Sequence, residues 1–373
     1  MGNPQGRPLT GPGRVPARGE AGPGRGGWIL LGLTGLLLIG GCSPVYVARA
    51  GLAQAQLLAG RTPIPQVIND PATDPEIRDK LLFAWEARRF AVDELELDAG
   101  EAYTTTVELE SDTLALVLSA AERDRLEAVT WWFPIVGRVP YRGYFSEGEA
   151  FRERDRLEER GYDTYLRPTA AFSTLGWFAD PLPSILLRRD TVDLVDTVLH
   201  ELSHAHLFIP GEGRFNESFA TFVGGAGAAH FFCTRPGGGP GTVLCRRARE
   251  RWADAMDFSR FMDELMAEVE GLYTRDDLSR EEKLSTRETL FRDARARFRD
   301  EVQPAFRASG YQAFLTRPLN NATLLSWRLY YHRLPDFQRL LDEHGGDLAE
   351  TIRTLSREAP AADDPFQILP ADG

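Results

Sequence analysis

The chain has 373 residues, 43% of them apolar and 26% charged, and a formal net charge of −12. Length and composition fit a soluble globular body of one large domain or two modest ones. The acidic balance excludes a nucleic-acid partner, which needs clustered Lys and Arg to neutralise phosphates.

Residues 1–27 are rich in Gly and Pro, and Arg7, Arg14, Arg18 and Arg25 make them basic. An uncharged run follows, "WILLGLTGLLLI", Trp28 to Ile39. It is too short to span a bilayer comfortably and has the length of a signal-peptide core. Two glycines then precede Cys42, and small residues before a Cys at this point resemble a bacterial lipobox. The resemblance implies removal of residues 1–41 and acylation of Cys42, which would anchor the chain to a membrane. By analogy with Gram-negative lipoproteins, Ser43 implies the outer membrane rather than the inner, with the body facing the periplasm. In an oxidising compartment Cys233 and Cys245, which flank a Gly/Pro loop, are expected to be bridged. Such a bridge contributes roughly 2–3 kcal/mol by restricting the unfolded chain.

Residues 46–60 read as a short helix. "DPATDP" opens a helix whose apolar positions, Leu81, Leu82, Trp85, Phe90 and Ala91, recur at helical spacing. "AYTTTVEL" and "DTLALVLSA", separated by "ESD", read as a hairpin. "EAVTWWF" and "YRGYF" suggest two more strands around a loop at Pro134–Pro140. A polar helix follows in "FSEGEAFRERDRLEERGY", then extended structure in "DTYLRPTAAFSTLGWF". From Asp190 to Glu358 the pattern is almost wholly helical, and residues 359–373 read as a loose tail. The fold class is therefore α+β. A mixed sheet with helices occupies residues 42–189, and a mainly helical region, 190–358, carries the site.

The chemistry concentrates in "HELSH", His200, Glu201 and His204. Histidines four apart share one face of a helix and can reach one ion, and zinc accepts such donors with a position left for water. Glu201 is placed to take a proton from that water. If the helix starts at Asp190, Val195, Val198, Leu199 and Leu202 form its apolar stripe, with His200 and His204 opposite. His206 falls on the stripe and is expected to pack. A third ligand comes from "FIPGEGRFNESFATFV". Pro210, Gly211 and Gly213 turn the chain, and Phe215, Phe219, Phe222 and Val223 mark a second apolar stripe. Glu217 lies opposite that stripe, and Glu212, in the turn, is the rival ligand.

HExxH followed by "NESFA" resembles the gluzincin metallopeptidases, in which His, His and Glu bind one zinc. The wider pattern resembles a bacterial family described as putative lipoprotein aminopeptidases. It rests on Cys42, "DPATDP", "FPIVGRVPYRGYF", "AFSTLGWFADP", "HELSHAHLFIPGEGRFNESFATFV" and "LNNATL". The resemblance implies a zincin-like fold, with the active-site helix between the two regions. It also implies one zinc on His200, His204 and Glu217, with Glu201 as general base. Of Tyr330, Tyr331 and His332, it implies Tyr330 as the donor to the oxyanion. The substrate would be a peptide, and Ala171 to Phe178 is the candidate segment for pairing with its backbone.

The chain departs from the family pattern in three places. Trp132 and Arg138 stand where members usually have two cysteines. The connection from His204 to Glu217 is short. Thr221 stands where an acidic residue often orients a ligand histidine, and Asp196 or Thr221 is expected to substitute. The alternative function is a non-catalytic envelope lipoprotein that binds peptides or cell-wall stems around a structural metal. Glu201 speaks against it, because a structural site has no need of a base.

Overall fold

The structure, a computed structural model, describes residues 57–109, 115–133, 137–169 and 179–370. The short helix expected at residues 46–60 lies mostly outside them, as do Cys42 and all of Ala171 to Phe178.

The strands are β1 (Arg61–Pro63), β2 (Thr105–Val107), β3 (Ala115–Ala121), β4 (Trp131–Phe133), β5 (Gly137–Val139), β6 (Tyr141–Tyr144), β7 (Asp163–Thr169) and β8 (Leu182–Pro183). They form three small sheets. In the first, β2 runs antiparallel to β1 and parallel to β8. In the second, β3 lies between β6 and β7, antiparallel to both. The hairpin expected between the segments holding β2 and β3 is therefore wrong, since the two strands belong to different sheets. Both segments are strands, as expected, but strand propensity does not choose a partner. β4 and β5 form a hairpin of their own, so a strand occupies part of the stretch expected to be a loop at Pro134–Pro140. Trp132 and Arg138 lie directly opposite each other in this hairpin, which explains why the two departures occur together.

The longer helices are α1 (Pro75–Asp93), α2 (Glu147–Glu159), α3 (Thr191–His206), α4 (Gly213–Thr234), α5 (Val243–Tyr273), α6 (Arg280–Arg297), α7 (Asn321–Tyr330), α8 (Leu334–Glu343) and α9 (Leu348–Glu358). The fold is α+β with a helical C-terminal half, as the sequence implies. α1 starts at Asp74, whose carboxylate accepts the amides of Glu76 and Ile77. Its buried face is Leu81, Ala84, Ala87, Phe90 and Ala91. Leu82, expected inside, is exposed, because alanines one turn apart hold the face instead.

α4 is the centre of the helical half. It is buried nearly all round and packs on α3, α5, α7 and α8. A helix without a polar face belongs inside a core. β3 is likewise apolar on both sides, because α2 and α7 both pack against its sheet. α7 thus bridges the sheet and the central helix. The main core takes Leu81, Phe90 and Leu182 from before residue 189 together with Val198, Phe219 and Phe337 from after it, so packing is continuous across that boundary.

The segment expected to be a loose tail is packed as far as Leu369. Asp364 caps a short turn that buries Phe366 against Phe215, and Leu369 is buried with it. An Ala-, Pro- and Asp-rich composition hid two apolar anchors. Cys233, near the end of α4, is bonded to Cys245 at the start of α5.

Candidate metal centre

Asp190 starts α3 by accepting the amide of Val192 at 3.0 Å. Val195, Val198, Leu199 and Leu202 are buried. His200 and His204 face the other way, across to Glu217 on α4. The Nε2 atoms of both rings lie 3.5 Å from Glu217 Oε2. One donor atom from each residue fits within 4.8 Å of the others, which makes this a cluster that can hold a metal ion.

The short connection between the ligand helices works through the residues around Glu217. Gly211 takes φ +88°, a conformation suited to glycine, and turns the chain back. Asn216 then clamps the loop, its Oδ1 accepting the Ile209 amide at 2.9 Å and its Nδ2 donating to the Ile209 carbonyl at 2.8 Å. Ser218 donates to the Leu329 carbonyl at 2.9 Å, tying α4 to the end of α7. Three consecutive residues thus close the loop, point a carboxylate at the histidines and fix the neighbouring helix. Glu212, the rival ligand, stands at the start of α4 outside the cluster.

The site opens into a cavity of about 380 Å³ that Glu201, Tyr141, Arg167 and Tyr330 also line. Tyr330 stacks near His200, ring centroids 6.1 Å apart, and accepts a hydrogen bond from Arg167 Nη2 at 2.9 Å. Tyr331 packs instead against Phe258 and Tyr311, and His332 bonds Asp263. His206 is half-buried between the Asp98 amide and Ser356, away from the cluster. His230 stacks on Phe90, and His344 bonds Thr351.

Electrostatics separates the two neighbouring carboxylates. Burial raises the Glu201 carboxyl above its ordinary pKa despite the nearby imidazoles. Burial acts on Glu217 in the same sense, but the charges and hydrogen bonds of His204 and His200 outweigh it and hold that carboxyl well below the usual range. The two carboxyls are thus shifted in opposite directions, Glu201 up and Glu217 down. Burial also raises the Tyr141 and Tyr330 phenols, so both remain donors near neutral pH.

The donor set fits a catalytic metal. Two imidazole nitrogens and one carboxylate oxygen converge beside an open cavity, and zinc is commonly bound this way. Of the two residues expected to support a ligand histidine, Thr221 does not do so. The Thr221 hydroxyl donates to the Glu217 carbonyl, not to a histidine. His204 Nδ1 is buried without a hydrogen-bond partner among the described residues. Asp196 sits beside His200 with its carboxyl against Gly224, and burial pushes its pKa up to about 6.

A family model described as "Putative aminopeptidase" matches residues 45–363. The chain belongs to this putative aminopeptidase family. No curated protein and no solved structure matches it. Membership supports a peptidase, and the matched range includes every residue of the cluster.

Sequence reasoning missed part of this member's site. Tyr141, on β6, donates to Glu217 Oε1 at 3.3 Å and leaves Oε2 to the histidines. Arg167, on β7, reaches Tyr330. Both stand in segments legible as extended, but nothing in the spacing says that this sheet runs past α4. The nearest signal for Tyr141 was its place in "FPIVGRVPYRGYF".

Proposed function

We propose that the protein is a zinc-dependent peptidase of the bacterial cell envelope, and by family an aminopeptidase. The observation that carries this reading is the convergence of His200, His204 and Glu217 on one point, with Glu201 on the same helix facing the same cavity. A bound zinc would supply Lewis acidity to a peptide carbonyl and make a water acidic near neutral pH. Glu201 accepts the proton of the attacking water and passes it to the leaving amine. Tyr330 donates to the oxygen that becomes negative in the transition state. Because Arg167 donates to the phenol oxygen, the phenol's own hydrogen is free to point into the cavity. Tyr141 holds Glu217 from behind, fixing the carboxylate as a ligand should be fixed.

The cell-envelope part of the reading rests on the lipobox-like sequence at Cys42 and on the Cys233–Cys245 disulfide, which suits an oxidising compartment. No helix among the described residues is long and apolar enough to cross a membrane. Radiolabelled palmitate should enter the wild type and not Cys42→Ser; equal labelling would remove this part of the reading.

The enzymatic part is tested by chelation. Hydrolysis of aminoacyl amides should disappear when divalent ions are stripped and return with about one equivalent of zinc per chain, the stoichiometry of a three-ligand catalytic site. Full activity in the stripped protein would overturn the reading.

A further inference from the structure

Three guanidiniums border the cavity that holds the candidate ligands. Arg138 comes from β5, Arg167 from β7, and Arg189 from the turn ahead of α3. Each bonds a neutral hydroxyl. Arg138 donates to Thr130 at 3.2 Å, Arg167 to Tyr330 at 2.9 Å, and Arg189 to Thr197 at 3.1 Å. None of the three makes an ion pair with a carboxylate among the described residues. Elsewhere in the chain Arg287 is paired with Asp163, Arg251 with Asp193 and Arg235 with Glu86, while Arg78, Arg88 and Arg295 bond backbone carbonyls, so what sets this cavity apart is that three such guanidiniums gather around it. A sequence with 55 acidic and 43 basic residues has carboxylates to spare. Leaving three guanidiniums without one around a single cavity therefore points to a carboxylate that the chain itself does not supply.

The cavity's own carboxylates are committed. Glu217 faces the imidazoles. Glu201 is the base. Asp196 is wedged into the seam between α3 and α4, where a Cβ on Gly224 would fall 2.4 Å from its Oδ1. The three guanidiniums balance these three carboxylates, so a divalent ion would leave the cavity net positive. Such a cavity attracts an anionic group, and the planar fork of Arg suits a carboxylate. Arg167 is already turned to Tyr330. Arg138 and Arg189 are exposed at the rim, where an incoming group meets them first.

We infer that the site selects peptides carrying a carboxylate beside the scissile bond, either an acidic side chain or a free terminal carboxylate, held by Arg138 and Arg189. The inference rests on the peptidase reading and adds the substrate class to it.

The test uses the full chain in detergent, loaded with zinc. Matched short peptides carry Glu, Gln or Lys next to the scissile bond, each as the free acid and as the C-terminal amide. Binding is measured by calorimetry on Glu201→Gln, and hydrolysis on the wild type. At solvent-exposed arginines the expected preference for Glu over Gln is roughly tenfold in both readouts, with Lys weakest. Arg138→Gln and Arg189→Gln should each shrink that ratio severalfold. A preference confined to Glu peptides assigns the side chain, and a preference for the free acid whatever the side chain assigns the terminal carboxylate. Equal binding and cleavage across the set, or ratios untouched by both Arg variants, would overturn the inference and leave the peptidase reading standing. Selective binding without cleavage of any peptide would sink the peptidase reading and, with it, the inference as a statement about substrates, leaving only a carboxylate-binding cavity. Absence of binding by every peptide would overturn the inference.

Discussion

Replacing Gly224 by Ala tests how tightly the two ligand helices must approach. A Cβ built at Gly224 lies 2.4 Å from Asp196 Oδ1, 2.9 Å from the Asp196 carbonyl oxygen and 3.3 Å from His200 Cβ, where ordinary contact begins at 3.4 Å. The Asp196 side chain can rotate away, but its backbone carbonyl cannot, so α3 and α4 must part by several tenths of an ångström. Overpacking of this kind costs about 1–3 kcal/mol. The same movement separates His200 and His204 from Glu217, and disturbing the support of metal ligands typically weakens binding roughly 10–100-fold. Thermal unfolding monitored by circular dichroism reads the first effect, and competition for zinc with a chromophoric chelator reads the second. Gly225→Ala is the control. Its Cβ would meet the Trp252 ring at 2.4 Å, on the side of α5. It should lower Tm comparably while leaving zinc affinity much nearer to wild type. A Gly224→Ala protein with unchanged Tm and unchanged zinc affinity would refute the reasoning.

Three further outcomes follow from the packing. Asp163→Ala removes one of the two carboxylates on the Arg287 guanidinium, whose side chain is 2% exposed, leaving Glu288 and the Arg123 carbonyl, and takes away the acceptor of the Asn321 amide at the start of α7. Losing a buried charge-assisted bond and leaving a buried amide unpaired should cost about 2–4 kcal/mol by urea unfolding, and a loss under 1 kcal/mol would contradict the network. Burial raises the Asp124 carboxyl, but hydrogen bonding and charge from Arg280 outweigh this, so its folded pKa is depressed. Such a group stabilises above its unfolded pKa of about 3.9, and the contribution is lost as pH falls through the lower folded value. With Arg280 60% exposed, the gap between wild type and Asp124→Asn should be at most about 1 kcal/mol at neutral pH. It should close on acidification below about pH 4, and a gap that widened there would reverse the assignment. Cys233→Ser with Cys245→Ser opens the link between α4 and α5 and should cost about 2–3 kcal/mol under oxidising conditions, with no loss expected under reducing ones.

The parts of the site that follow helical periodicity were legible in the sequence. Asp190 as the cap of α3, the buried stripe from Val195 to Leu202, and the opposed placement of His200, His204 and Glu217 all follow from 3.6 residues per turn. A 3.6-residue period fixes faces within one helix, and a short turn then fixes which helix comes next. Strand pairing has no such local rule, and so β2 was assigned to the wrong partner. For the same reason Tyr141, 76 residues from Glu217, and Arg167, 163 residues from Tyr330, could not be placed. "LNNATL" was recognisable without its purpose. In the structure Asn320 caps α7 and donates to the Thr164 carbonyl, while Asn321 donates to the carbonyls of Glu122 and Arg125. The segment docks the helix that brings Tyr330 to His200. The tail misled because two anchors, Phe366 and Leu369, carry little weight in a composition dominated by Ala, Pro and Asp.

The central claim is that His200, His204 and Glu217 hold a metal that works with Glu201. The most direct measurement takes wild type and Glu201→Gln through elemental analysis and through one panel of aminoacyl amides and N-blocked peptides. About one zinc per chain in both proteins is expected, with hydrolysis in the wild type alone, because Glu201 moves protons and does not hold the ion. Metal absent from both proteins after zinc is supplied, or equal turnover by Glu201→Gln, would contradict the account.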